Sequence, residues 1–317
     1  MPLFPTPLPE LFVERLQTIL PRERLHDCLQ SFSAIRPTSF RINTLKTTEA
    51  ALVTALQSDG FLLSRIDWRP GAYSVPPDQR RALTESSAVD EGLIYIQDLS
   101  SMLAPMVLDP KPGERVLDLA AAPGGKTLQI AAMMNNRGEL AAVESVKGRY
   151  FRLKANLERG GATMVRSYLK DGRAVGAKVP ERFDRVLVDA PCSSEARFST
   201  RDPRSWSHWS LKKVQESARK QQRLLDSAIR SLKPGGSLLY CTCSFSPEEN
   251  EQVVDSQLRR YGDGLAVIPI ELPLRNLQPG LLQWGKRVYS NQLRCAVRVL
   301  PTEEMRGFFL CRLVRCP

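Results

Sequence analysis

Apolar residues recur at helical spacing from Glu10 onward, where Leu11, Phe12, Leu16, Ile19 and Leu20 fall on one side of a helix. A second short helix is predicted over Arg22 to Phe32, then a strand at Ser39-Phe-Arg-Ile-Asn43. Thr48, whose hydroxyl can accept from a first-turn N–H, opens a helix through Leu56 that Gly60 closes. Phe61 to Ile66 resumes as a strand. The alternation, rich in Arg and bounded by Pro and Gly, predicts a small α+β domain over residues 1–92.

The pattern changes in residues 93–317. A helix over Asp98 to Val107 leads to the turn Asp109-Pro-Lys-Pro-Gly113, after which short apolar runs alternate with helical periods. Strands are predicted at 115–119, 139–143, 163–168, 184–189 and 236–242, and helices at 126–134, 147–158, 211–232 and 247–260. Such alternation predicts an α/β fold, a parallel Rossmann-like sheet with helices on both faces. Segment 191–210 shows no period and reads as a long loop over the sheet edge. Gly307-Phe-Phe-Leu-Cys-Arg-Leu313 reads as a closing strand.

Composition narrows the functional classes. The 317 residues, 42% hydrophobic, can bury a substantial core. Against 34 Asp+Glu stand 45 Lys+Arg, a net +11 that favours a polyanionic partner, because neutralising phosphates releases counterions. The seven cysteines are scattered without metal spacing, and there are two histidines, so no metal site and no disulfide framework is expected. Met1-Pro-Leu-Phe-Pro-Thr-Pro-Leu-Pro9 has neither a basic n-region nor a long apolar h-region, and no stretch is long enough to span a bilayer. A cytoplasmic monomer with reduced thiols and no membrane association is expected.

Candidate chemistry collects at the carboxyl ends of the predicted strands, where open α/β sheets bind ligands. After the first strand of this domain the chain turns through Ala120, Ala121, Ala122, Pro123, Gly124, Gly125 and Lys126 into a helix. Small residues let the backbone approach a ligand, and the helix N-terminus offers N–H groups to a carboxylate. The turn is not GxGxxG, which disfavours a dinucleotide. Glu144, ending the next strand, can accept from ribose hydroxyls, and Asp171, after the third, from an adenine amino group. In that order these residues point to S-adenosylmethionine.

Two further strands end beside thiols, at Asp189-Ala-Pro-Cys192-Ser and at Thr242-Cys243-Ser. Carbon 5 of cytosine is a poor nucleophile until a thiolate adds to carbon 6 and makes an enamine. Its later proton loss and thiol expulsion need a second group. Cys192, Cys243 and Asp189 supply such a set, and their spacing does not say which thiol attacks. Cys28, Cys295, Cys311 and Cys316 read as packing residues, and Cys241 is expected to face packing by strand alternation. Arg197, Arg201 and Arg204 are expected to track phosphates, while Trp206 and Trp209 read as packing under the loop.

With these residues assembled, the sequence resembles the NOP/Sun family of RNA 5-methylcytosine methyltransferases over nearly its whole length. The match rests on Arg41-Ile-Asn-Thr-Leu-Lys46, Gln97-Asp-Leu-Ser-Ser-Met102, the Ala122–Lys126 turn, Asp189–Ser193, Lys233–Gly236, Tyr240–Ser244 and Pro247-Glu-Glu-Asn250. The resemblance implies a class I methyltransferase sheet, S-adenosylmethionine as cofactor and RNA as substrate, ribosomal RNA before tRNA. It implies that Cys243 attacks and Cys192 assists release, and it places Lys126, Glu144, Arg149, Asp171 and Asp189 around the cofactor and the N-terminal unit on RNA. Ser194-Glu-Ala-Arg-Phe198 departs from the Gly-Thr-Gly of many relatives beside the expected base pocket. Two readings outside this one are an RNA-binding assembly factor that keeps the fold without turnover and a methyltransferase for DNA or protein.

Overall fold

The computed structural model describes residues 7–317, so positions 1–6 of the Pro-rich start lie outside the described residues. Helices α1 (Glu10–Ile19) and α2 (Arg22–Ser31) precede a four-stranded antiparallel sheet of order β2-β3-β1-β4, built from β1 (Thr38–Ile42), β2 (Ser64–Arg65), β3 (Ala72–Val75) and β4 (Ile94–Ile96). Helix α3 (Glu49–Ser58) packs Leu52 and Leu56 on this sheet and starts at Thr48, whose hydroxyl accepts from Ala51 N. Short helices α4 (Arg80–Thr84) and α5 (Ser87–Asp90) follow. The sequence pattern misses β3 and β4, which have only four and three residues. The boundary expected after residue 92 falls just before β4, whose pairing with β1 carries the small sheet to Ile96.

The larger sheet holds β5 (Arg115–Asp118), β6 (Glu139–Glu144), β7 (Val165–Leu169), β8 (Phe183–Asp189) and β9 (Leu232–Thr242) as parallel neighbours in the order 7-6-5-8-9. Consecutive side chains of β8 and β9 alternate between two cores. Leu187, Leu239 and Cys241 pack with α6 (Leu99–Leu108), α7 (Gly125–Met133) and α8 (Lys147–Arg159). Val186, Val188, Leu238 and Tyr240 pack with α10 (Leu211–Ser231) and α11 (Glu251–Tyr261) on the other side, while the short α9 (Val175–Lys178) flanks α10. Helices on both faces explain the unbroken apolar runs.

The sheet is mixed rather than parallel throughout. Of the later strands β10 (Leu265–Ile268), β11 (Leu277–Pro279), β12 (Gln283–Trp284), β13 (Arg287–Val288), β14 (Val297–Val299) and β15 (Phe308–Arg315), β15 runs antiparallel beside β9. It carries β14 and β10, and β11 pairs with β14 beyond. Strands β10, β11 and β14 are too short, at three or four residues, to show a period. No helix among the described residues is long and apolar enough to cross a membrane.

The small unit is fastened to the large one in two places. Helices α1 and α2 turn Phe12, Leu16 and Phe32 onto Phe198, Phe245 and Leu300, with Phe12 and Phe198 ring centroids 4.8 Å apart. The second fastening is the Arg41–Lys46 segment. Buried Arg41 donates to Gln97 Oε1 and to the Gly125 carbonyl, each at 3.0 Å. Burial pulls its guanidinium down to about 9. Asn43 Nδ2 donates to the Gly92 and Gly160 carbonyls at 2.8 Å, and Lys46 Nζ to those of Glu91 and Arg159. These side chains are committed to backbone carbonyls on both sides of the junction. Asn43→Ala therefore leaves two buried acceptors unpaired and should cost about 2 kcal/mol. A lowered urea midpoint is the expected result, and an unchanged midpoint contradicts the clamp.

Candidate active site

A cleft of about 620 Å³ opens at the carboxyl ends of β5, β8 and β9, between the two units. Its volume suits a cofactor-sized ligand. Ala120, Ala121, Ala122, Pro123, Gly125 and Lys126 line one side, and Asp189, Cys192 and Cys243 another. Gly124 enters α7 at φ +110°, a conformation that glycine adopts without strain. At Gly125 a Cβ would lie 2.7 Å from Tyr95 Cε1, so the turn meets β4 closely. This contact brings the small unit to the cleft wall.

Lys126 and Asp189 form one pair in the cleft, Nζ to Oδ2 at 2.7 Å. Burial acts to lower the Lys126 pKa, but Asp189, Cys241 and Asp118 together hold it above its ordinary value. Asp118, ending β5, also lines the cleft. Its Oδ2 accepts from Thr127 Oγ1 at 2.7 Å, while the buried Oδ1 has no partner. Burial raises this carboxyl to about 7. Glu144 stands buried at the end of β6, with Oε1 accepting from Val146 N at 2.9 Å. Its Oε2 makes no hydrogen bond and lies 3.6 Å from Arg149, which donates to the Ala122 carbonyl at 2.7 Å. Buried acceptors without donors are uncommon, and two beside a glycine-rich turn fit a ligand bearing hydroxyl or ammonium groups.

Asp171 is placed differently. It ends the chain segment after β7 and lines a neighbouring groove rather than the cleft. Its carboxylate accepts from Arg173 N at 2.9 Å and pairs with the Arg173 guanidinium at 2.6 Å.

The two thiols meet. Asp189 is in register with Cys241 across β8 and β9, so the chain segments beyond bring Cys192 Sγ to 3.2 Å from Cys243 Sγ. The sulfur–hydrogen bond from Cys192 holds the Cys243 thiol below its ordinary range, against burial and with help from the Arg197 charge. The same bond, together with burial, pushes Cys192 well above that range. The pair is thus unequal, with Cys243 the more readily ionised. Spacing alone left that open.

Cys241 packs in the core, as its packing reading expected, but not for the reason of alternation. It is fully buried and its Sγ lies 3.7 Å from Asp189 Oδ1. Residues two apart on a strand share a face, so alternation puts Cys241 on the same side as Cys243. Burial first, then the Asp189 charge, raises its pKa well above the ordinary thiol value. Cys28 and Cys311 are buried, while Cys295 and Cys316 are half-buried.

Two buried carboxylates that the sequence reading did not single out hold the thiol-bearing segments together. Glu249, from the Pro247–Asn250 motif, accepts from Ser193 N at 2.9 Å, Ser193 Oγ, Ser244 Oγ at 2.6 Å and Gln221 Nε2 at 3.2 Å. Burial and then the neighbouring Glu195 raise it to about 7. Glu195 accepts from Phe245 N at 2.7 Å, Ser246 N at 2.9 Å, Ser246 Oγ at 2.6 Å and Trp209 Nε1 at 2.8 Å. An acid between a thiol motif and an Arg-rich loop carries no periodic signal, so only its contacts identify this role.

The arginines of the loop are placed in three different settings. Arg201 donates to the Ser33 carbonyl at 2.8 Å, Arg204 pairs with Asp202 at 2.8 Å, and Arg197 lines the cleft beside the thiols. Trp206 and Trp209 pack on Phe198, with centroids 5.9 and 6.2 Å away, as their packing reading expected. Arg152 and Arg306, not singled out in the sequence, complete a basic rim.

Residues 105–314 match the family described as 16S rRNA methyltransferase RsmB/F, and residues 8–99 match the N-terminal domain of 16S rRNA methyltransferase RsmF. A tRNA (cytosine(49)-C(5))-methyltransferase of Pyrococcus abyssi is 40% identical over 294 residues, covering 90% of each chain. A ribosomal RNA small subunit methyltransferase F of Vibrio vulnificus is 40% identical over 311 residues, which is 96% of this chain and 64% of the relative. The chain therefore spans just under two thirds of that relative's length. A solved methyltransferase homologue from Pyrococcus horikoshii superposes with a TM-score of 0.83 at 33% identity, covering 98% of this chain and 96% of its own.

Proposed function

The chain belongs to the RsmB/F family of RNA methyltransferases, whose Pyrococcus abyssi relative is a tRNA cytosine C5 methyltransferase, and we propose that it methylates carbon 5 of a cytosine in RNA through a covalent Cys243 adduct. The observation that carries the mechanism is the pair of thiols 3.2 Å apart in a cleft shared with the glycine-rich turn.

Cys243, ionised more readily than its neighbour, adds through sulfur to carbon 6 of the ring, and the ring electrons move to carbon 5. Asp189 can accept from the cytosine amino group, the donor that a carboxylate reads on this base. S-adenosylmethionine supplies the electrophilic methyl group that carbon 5 takes up. The Asp189 carboxylate takes the carbon 5 proton, the electrons of that bond return to the ring, and the sulfur–carbon 6 bond breaks. The Cys243 sulfur leaves as a thiolate that the Cys192 S–H, which stays protonated, stabilises, and Asp189 passes its proton to water.

For the cofactor, Ala120 to Lys126 would cradle the methionine end, Glu144 would accept from the ribose, and Arg149 and Asp189 would flank it. Asp171 stays our proposed acceptor for the adenine amino group. Its pair with Arg173 lies at the surface, where such pairs are worth about 0–1 kcal/mol, so exchange for a ligand contact is cheap. Glu144→Gln should weaken S-adenosylmethionine binding about tenfold or more in calorimetric titration, because the charged acceptor is lost. Unchanged affinity contradicts the ribose assignment.

Ribosomal RNA is our reading of the substrate, supported by the match of residues 8–99 to an RsmF N-terminal domain. A second reading, tRNA, is supported by the 40% identity to the archaeal tRNA enzyme over 90% of both chains. We read the enzyme as a cytoplasmic monomer, with Arg152, Arg306 and the small unit meeting the RNA backbone. Labelled methyl groups should enter unmodified ribosomal RNA and appear after digestion as 5-methylcytosine. No incorporation favours the assembly-factor reading, and label on DNA or protein overturns the proposal.

A further inference from the structure

The turn Ser194–Phe198 is locked onto the end of β9. The Ala196 N–H donates to the carbonyl of Cys243 itself at 3.0 Å. Glu195 accepts from the backbone N–H groups of Phe245 and Ser246, while Ala196 and Phe198 are buried against α1 and α2. Of this turn, only Ser194 and Arg197 line the cleft, and Cys243 Sγ lies 3.7 Å from Ser194 Oγ. The turn therefore presents Ser194 to the thiol and Arg197 to the cleft that holds it, both from a fixed backbone.

The other charges around Cys243 are largely matched. From α7, Lys126 is neutralised by Asp189 at 2.7 Å, and the Arg306 cation preceding β15 faces Asp98 at the start of α6 at 3.9 Å. Asp118 from β5, Cys241 from β9 and Glu249 behind Cys192 add no positive charge. Arg197 forms no ion pair within 4.0 Å among the described residues. Arg152 of α8 lines the same cleft and likewise forms no such pair, but Arg197 is the one carried on the turn that is bonded to the Cys243 carbonyl.

We infer that Arg197 is a positioning residue for the reaction, a fixed guanidinium that keeps Cys243 as a thiolate and aims it into the cleft. This rests on the reading of Cys243 as the nucleophile. Mutual stabilisation of the two groups follows from their charges: the thiolate raises the Arg197 pKa, and the guanidinium lowers that of Cys243. The segment that departs from many relatives thus carries a charge for the nucleophile as well as a wall of the base pocket.

The test is alkylation of the full chain by iodoacetamide across pH, with each cysteine followed by peptide mass spectrometry. In Arg197→Met the Cys243 profile should shift upward from its midpoint near 6 by about one pH unit, slowing alkylation about tenfold near pH 5 and about twofold at neutral pH, while half-buried Cys316 is unchanged. Arg197→Lys should restore most of the wild-type profile, which loss of packing alone would not do. If Arg197→Met does not fold, Arg197→Gln carries the same expectation. A Cys243 profile that superposes on wild type, or one shifted equally in Arg197→Lys, overturns the inference. Since alkylation needs neither RNA nor methyl transfer, a shifted profile in a protein that methylates nothing would refute the proposed function alone.

Discussion

Cys243→Ala should abolish methyl transfer to RNA, lowering turnover by at least about four orders of magnitude, as loss of a covalent nucleophile does. No neighbouring thiol can take its place. Cys241 is sealed in the core with its pKa raised, and Cys192 is held as the protonated partner. The alanine opens little space and leaves Ala120–Lys126, Glu144 and Arg149 untouched. S-adenosylmethionine affinity should therefore stay within about twofold, because no interaction with the glycine-rich turn is removed. Scintillation counting of labelled RNA alongside calorimetry reads both quantities. Turnover above one part in about a hundred of wild type would remove Cys243 from the mechanism.

Cys192→Ala should do something different: stall the reaction with RNA attached to protein. Without the S–H donor beside the leaving sulfur, release slows by about two to three orders of magnitude, the usual cost of losing a donor to a charge that develops in the transition state. The adduct should run as a retarded band on a denaturing gel. The pH dependence has a definite sign. At 3.2 Å the Cys192 thiol is placed to donate to Cys243 once that sulfur is a thiolate, which can only accept. Removing it destabilises the thiolate and raises the Cys243 pKa. Adduct formation in the variant should therefore rise with pH through a midpoint higher than that of wild type. A band that forms in Cys243→Ala instead would reverse the two roles. A band in neither variant would refute the covalent route.

Much of the fold was readable because covered α/β sheets leave strong marks. β5, β6, β8 and β9 appear as apolar runs spaced by helical periods, and their carboxyl ends fall within a residue or two of the predicted ones. The antiparallel margin was not readable. β10, β11 and β14 owe their strand state to β15 beside them rather than to any pattern of their own. In the small unit, β3 and β4 were missed for the same reason. The Arg41–Lys46 motif was visible as a motif, but its use as a clamp depends on carbonyls of Gly125, Arg159 and Gly160, far away in the chain.

By itself the sequence determined the sheet, the glycine-rich turn that opens onto it, and the strand ends that carry Cys192, Cys243, Asp189 and Glu144. Those are local matters, set by hydrophobic period, turn chemistry and residue type. Tertiary structure alone decided which groups touch. It placed the sulfurs 3.2 Å apart and put Cys241 beside Asp189. It also brought Glu195 and Glu249 under the thiol segments and left Arg197 unpaired beside Cys243. Ionisation depends on burial and on charges within a few ångströms, and these are set by residues tens to hundreds of positions apart in the chain.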